Sequence, residues 1–322
     1  MYTLMLSSIL LATSLAPASP APALNIDQHR ITVSGISAGG QMAHQLHIAY
    51  PDVFSGAGII AGGPFGCAEG SVATAMTRCI GKTEIAIPVD ELSAEIHKAA
   101  SDGRIAEINA LADDRVWLFH GAQDEVVAVE VSDALAELYQ DFVPAGQIIY
   151  RKDVAAAHHF PAKGKGHACN ASQAPFVGDC DFDAAGELLN HLYPGLEAPQ
   201  SEPELVLTTV SLPGAAEAGL SDTAYLFVPP ACANGEHACA AHLVLHGCAQ
   251  SAVQLGTGFI EQSGYLRWAA ANDIVLAFPQ VISGPANPIA CWDWWGYTGS
   301  NYLWRDGAQM KLLSDWIRNP TL

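Results

Sequence analysis

One stretch constrains this chain more than any other: Ile31-Thr32-Val33-Ser34-Gly35-Ile36-Ser37-Ala38-Gly39-Gly40. β-prone residues run into the pentad Gly35-Ile36-Ser37-Ala38-Gly39, and a helical pattern follows over 41–47. A strand, a sharp turn and a helix in that order form a nucleophile elbow, which lifts the serine Oγ clear of the backbone. Glycines flank the serine because only they let neighbouring segments approach such a turn closely. Taken alone, the pentad also reads as a Gly-rich turn with Ser37 at a helix N-terminus. The rest of the chain has to decide between the two.

Along the chain, strand patterns alternate with helical ones. Strands are expected over 56–64, 115–121, 147–151, 204–212, 223–229, 241–246 and 273–279. Helices are expected over 89–100, 129–142, 182–193, 254–272 and 303–318. The segment between Cys67 and Cys79 reads as a loop, and 194–203 as a short connection inside one domain. This alternation predicts an α/β fold with a mostly parallel sheet and helices on both faces. A chain of 322 residues, half of them hydrophobic, can build that as one domain over 24–322.

A serine becomes nucleophilic when a base takes its proton, and the base needs an orienting acid. In α/β-hydrolases the three follow in the order Ser, Asp or Glu, His. Here Ser37, Asp124 and then His158 or His159 each come just after a strand pattern. An acid at the carboxyl end of a strand lies where open α/β sheets carry their sites. Asp124 alone would read as a turn or helix cap, and the histidines alone as surface loop residues. The oxyanion of such a reaction needs two backbone N–H groups. One normally belongs to the residue after the nucleophile, Ala38. The other comes from a His-Gly loop that ordinarily precedes the serine. The good candidate here, Leu245-His246-Gly247-Cys248, lies far after it, as do the strands that should lead into it. A circular permutation explains both displacements, with the usual order cut before the elbow strand. It predicts that residues near Arg318 lie beside 25–30, since chain termini are often neighbours.

A net charge of −19 argues against a nucleic-acid partner, whose phosphates call for Lys and Arg. Residues 1–23 have the apolar core and small-residue cleavage patterns of an export signal, although no Lys or Arg precedes Arg30. No later run is long and apolar enough to span a bilayer. Eight cysteines behind such a leader read as disulfides. Cys67 with Cys79, Cys169 with Cys180, and Cys232 with Cys239 are close in sequence; Cys248 and Cys291 are left over. Proximity alone leaves the connectivity open. There is no C-x-x-C, phosphate loop or dinucleotide fingerprint, so neither metal nor cofactor is expected. His44 and His47 share a helical face but have no third ligand nearby. Asn170-Ala171-Ser172 is a glycosylation sequon, relevant in a eukaryotic host.

Gly35-Ile36-Ser37-Ala38-Gly39-Gly40-Gln41-Met42-Ala43, His246-Gly247-Cys248-Ala249-Gln250 and Cys291-Trp292-Asp293-Trp294-Trp295-Gly296-Tyr297, with His158-His159-Phe160-Pro161, together resemble the extracellular polyhydroxybutyrate depolymerases. The likeness is to their single-domain, circularly permuted α/β-hydrolase branch. It implies Ser37 as nucleophile, Asp124 as orienting acid, and His158 rather than His159 as base. It implies oxyanion donors at Ala38 and Cys248, and a Cys248–Cys291 disulfide. Trp292, Trp294 and Trp295 would stand near the cleft and contact polymer, with at least one of them buried as core. The implied activity is hydrolysis of poly(3-hydroxybutyrate) or related short-chain polyhydroxyalkanoates by a secreted serine esterase, expected as a monomer. A feruloyl or acetyl esterase on the same scaffold and a non-catalytic polymer-binding protein are the rival readings. No linker or separate binding region is read after the catalytic part. Adsorption to solid polymer would therefore fall to exposed apolar residues near the cleft.

Overall fold

The computed structural model describes residues 23–81, 85–202, 204 and 206–321. The expected leader, 1–23, lies outside the described residues except for Ala23. The strands are β1 (Ile26–Ile36), β2 (Gly56–Ile60), β3 (Arg115–Phe119), β4 (Ile148–Arg151), β5 (Phe160–Ala162), β6 (His167–Ala168), β7 (Val177–Asp179), β8 (Leu207–Ser211), β9 (Thr223–Phe227), β10 (Cys239–Leu245) and β11 (Ile274–Phe278). Eight of them form one sheet in the order β4-β3-β2-β1-β10-β11-β9-β8. All neighbours from β4 to β11 pair parallel, and β9 and β8 add an antiparallel edge. A small second sheet, β5-β7-β6, was not foreseen from the sequence.

The elbow strand β1 sits in the middle, with β10 at its side. A strand from late in the chain thus fills the place that an earlier strand would normally take. Gln28 Nε2 donates to Arg318 O at 3.0 Å, so the two ends of the described chain meet as the permutation requires.

The helices are α1 (Ala38–Ala49), α2 (Val72–Arg78), α3 (Val89–Ser101), α4 (Val129–Gln140), α5 (Ala184–Leu192), α6 (Ala252–Leu255), α7 (Gly258–Gln262), α8 (Tyr265–Ala271) and α9 (Ala308–Arg318). They cover both faces. Met42 and Leu46 of α1, Leu135 of α4 and Leu313 of α9 join one core with Ile31, Val33 and Leu243. Leu188 of α5 and Leu266 of α8 join the other with Ile36 and Val244.

Three expectations are corrected. The single helix over 254–272 is three short ones, because Gly256 and Gly264 turn the backbone to φ +66° and +88°. The last helix begins at Ala308, not 303. Part of the Cys67–Cys79 segment is helical: Ser71 caps α2 by accepting from the Thr74 N–H at 3.2 Å.

β1 alternates apolar and hydroxyl side chains, yet Thr32 and Ser34 are fully buried. A hydrogen-bond chain explains this. Ala241 O can only accept, so the Tyr193 hydroxyl donates to it at 2.8 Å and in turn accepts from Thr32 Oγ1 at 2.5 Å. Thr32 then accepts from His242 Nδ1–H at 2.6 Å, and Nε2 of the neutral ring accepts from Ser34 Oγ at 2.7 Å. Ser34 accepts from the Tyr265 hydroxyl at 2.7 Å. Every hydrogen has one acceptor, and the chain stitches β1 to β10.

Protonating His242 would break that sequence of donors. Burial lowers His242 and His44 to about 3 and His246 to about 4. Unfolded histidines bind a proton near pH 6.5. Between that value and the folded one the unfolded state holds more protons, so stability falls as pH drops. Each histidine contributes on the order of 1 kcal/mol per pH unit in this window. Exposed carboxylates mostly protonate below it. The melting temperature should therefore fall by several degrees per unit between pH 6.5 and 4.5; a flat profile over that range would contradict the neutral buried imidazoles. Among the described residues, no helix is long and apolar enough to cross a membrane.

Candidate active site

Ser37 joins β1 to α1 at φ 57°, ψ −122°, a left-handed conformation rare for a residue with a side chain. The glycines hold the turn there. A Cβ at Gly35 would lie 2.2 Å from Gly39 O, and one at Gly39 would lie 2.4 Å from Leu245 O and His246 O. The Ser37 N–H donates to Ile60 O at 2.8 Å, and Ser37 O accepts from the Gln41 N–H to start α1. The residues on either side are buried while Ser37 is half-exposed, as an elbow requires.

Asp124 follows β3 and is held from two sides. Its Oδ1 accepts from the Val126 and Val127 N–H groups, both at 2.9 Å. Its Oδ2 lies 2.7 Å from His158 Nδ1. Burial by itself would raise this carboxyl, but the hydrogen bond and charge of His158, with the two backbone donors, hold it below the usual carboxylate range. The acid stays ionised and fixes Nδ1–H on His158, which leaves Nε2 free to accept a proton. His159 points elsewhere: it is buried, and Nε2–H donates to Cys169 O at 2.7 Å. Of the two histidines, His158 is the one hydrogen-bonded to Asp124. Ser172 Oγ donates to His158 O at 2.7 Å and steadies the base loop, a contact with no signal in the sequence.

The His-Gly loop comes from the end of β10, beside the elbow. A Cβ at Gly247 would lie 3.6 Å from Ser37 Cβ. Gly247, Ala249 and Gln250 all have partners for their N–H groups. Among the described residues, the N–H groups of Ala38 and Cys248 have none. Ser37 Oγ likewise makes no hydrogen bond to a described residue. In sites without substrate that bond is commonly loose and tightens when the substrate enters.

Ser37, Ala38, His158 and Cys248 open onto one cavity of about 560 Å³ with mostly apolar walls. Trp294 and Trp295 line it, in edge-to-face contact at 5.4 Å. Trp294 is 6% exposed and its Nε1–H has no partner among the described residues. Trp292 is corrected: it is fully buried, and its Nε1–H donates to His246 O at 2.9 Å. It packs against His246 at the end of β10, and the cavity's lining does not include it. The exposed side chains of Val72, Met76, Val126 and Ile289 rim the mouth.

All eight cysteines are paired: Cys67–Cys79, Cys169–Cys180, Cys232–Cys239 and Cys248–Cys291. The last ties the oxyanion loop to the tryptophan loop. His159, Cys169 and Cys180 have the spacing of a metal set, but the two sulfurs are bonded to each other. His47 places one ring nitrogen 3.0 Å from the Tyr139 hydroxyl and the other 3.0 Å from Asp114.

No protein-family model matches the chain. A poly(3-hydroxybutyrate) depolymerase of Delftia acidovorans is 41% identical over 92% of this chain, which spans 60% of that protein's length. A polyhydroxybutyrate depolymerase of Talaromyces funiculosus is 32% identical over 96% of this chain and 95% of its own. The structure of a PHB depolymerase complexed with an R3HB trimer superposes with a TM-score of 0.86 at 30% identity, covering 93% of this chain and 98% of the other. Likeness that runs nearly end to end in sequence and in fold means that this chain belongs to the polyhydroxybutyrate depolymerase family.

Proposed function

We propose that the chain is a secreted serine esterase that cleaves poly(3-hydroxybutyrate) or a related short-chain polyhydroxyalkanoate. The observation that carries this reading is the Asp124–His158 hydrogen bond of 2.7 Å, with His158 opening onto the same apolar cavity as Ser37. His158 Nε2 takes the Ser37 proton as Oγ attacks the ester carbonyl. The N–H groups of Ala38 and Cys248 hold the oxyanion. The tetrahedral intermediate expels the hydroxyl end of the polymer, which His158 protonates. Water, deprotonated by His158, then attacks the acyl-Ser37 ester; the second tetrahedral intermediate collapses, His158 returns the proton to Ser37 Oγ, and the acid end is released. Asp124 stays charged throughout and stabilises the imidazolium.

The apolar cavity, walled in part by Trp294 and Trp295, suits the methyl-bearing repeat of the polyester. Val72, Met76, Val126 and Ile289 supply the contact with a solid polymer surface. The four disulfides support export to an oxidising compartment.

The test is a turbidity assay on a poly(3-hydroxybutyrate) suspension, with chromatography of the products. Clearing with release of 3-hydroxybutyrate and its oligomers is expected. A stable suspension, together with release of ferulate or acetate from plant polysaccharide, would transfer the activity to the rival esterase class.

A further inference from the structure

Glycine is the residue least able to hold a peptide plane by itself. Gly247 precedes the Cys248 N–H, so something outside it must fix that plane. Its carbonyl accepts from His246 Nδ1–H at 2.7 Å, because His246 Nε2 already accepts from the Val281 N–H at 3.2 Å. Its N–H donates to Gln250 Oε1 at 2.6 Å. The Gln250 side chain is 2% exposed, and its Nε2 donates to Pro175 O at 3.0 Å and Phe176 O at 3.1 Å. The amide can sit only one way round. Flipped, its oxygen would face two carbonyls and its nitrogen an N–H.

Pro175 and Phe176 lie in the loop closed by Cys169–Cys180, which also holds Ser172 against the His158 carbonyl. One buried carboxamide therefore spans two loops, some 75 positions apart in sequence, that line the same cavity as Ser37. We propose that Gln250 is a positioning residue for ester hydrolysis: it ties the oxyanion loop to the base loop and so sets the Cys248 N–H relative to His158. This rests on the esterase reading above. The general form is preorganisation, in which the oxyanion donor is aimed before charge develops.

The test uses Gln250→Glu and Gln250→Met in the full chain, with p-nitrophenyl butyrate as substrate. The first keeps the acceptor for Gly247 but turns the two donor contacts repulsive; the second removes all three at similar volume. Misaiming an oxyanion donor should lower kcat about a hundredfold. KM should stay within about threefold, since ground-state binding does not use the donor. Inhibition by butylboronic acid, which forms a tetrahedral serine adduct, should weaken by a factor similar to kcat, and inhibition by butyrate, the acyl product, should not change. Folded variants with wild-type kcat would overturn the proposal. So would equal losses for boronate and product, or variants that both melt below the assay temperature. A wild-type chain that cleaves no ester would instead overturn the esterase reading beneath it.

Discussion

Ser37→Ala is expected to abolish ester hydrolysis, with kcat falling about 10⁶-fold, while the melting temperature stays near that of the wild type. The size follows from how the catalytic side chains act. Nucleophile, base and acid work as a unit, so losing the nucleophile costs about as much as losing all three. What remains is the oxyanion hole and binding alone. The fold should tolerate the change because Ser37 Oγ makes no hydrogen bond to a described residue and the backbone strain at φ 57° is borne by alanine and serine alike. Hydrolysis of p-nitrophenyl butyrate and a thermal melt check both halves. Near-wild-type turnover in the variant would move the nucleophile away from the elbow.

The second large effect separates two adjacent histidines. His158→Ala should lower kcat by on the order of 10⁵-fold, because it removes the imidazole hydrogen-bonded to Asp124. His159→Ala should keep kcat within about tenfold and act on stability instead. It deletes one of two donors to Cys169 O, a net loss of about 0.5–1.5 kcal/mol, together with the packing of a buried ring. Cys169 O keeps a second donor, the Ala157 N–H at 2.9 Å, so the base loop should not collapse. Kinetics and melting curves on the pair read the difference, and a larger kinetic loss at His159 would reassign the base.

How much of this was legible in the sequence depends on how far each signal has to reach. The elbow is local. Its β-branched strand, glycines and helix lie within a few positions of Ser37, and the fold keeps them in that form. The permutation is legible because only the order of motifs is needed to infer it. Trp294 and Trp295 reach the cleft while Trp292 turns inward, a choice made by contact with His246 that no local pattern encodes. Likewise, Gln250 reads as an ordinary turn residue. Its partners, Pro175 and Phe176, lie on a loop some 75 positions away. The helix expected over 254–272 fails for a nearer reason: apolar spacing outweighed Gly256 and Gly264, which the chain uses to break the run. Thr32 and Ser34 carry no local signal of burial; their partner His242 comes from β10, some 210 positions away.

One hydroxyl, at the elbow, is activated by the His158–Asp124 pair in this reading. Stoichiometric treatment with a fluorophosphonate, followed by peptide mapping in a mass spectrometer, tests that directly. One phosphonyl group per chain is expected, on Ser37, with loss of hydrolysis in step with labelling and no uptake by His158→Ala on the same timescale. A label on another residue, or an unlabelled chain that still cleaves ester at the wild-type rate, would contradict it.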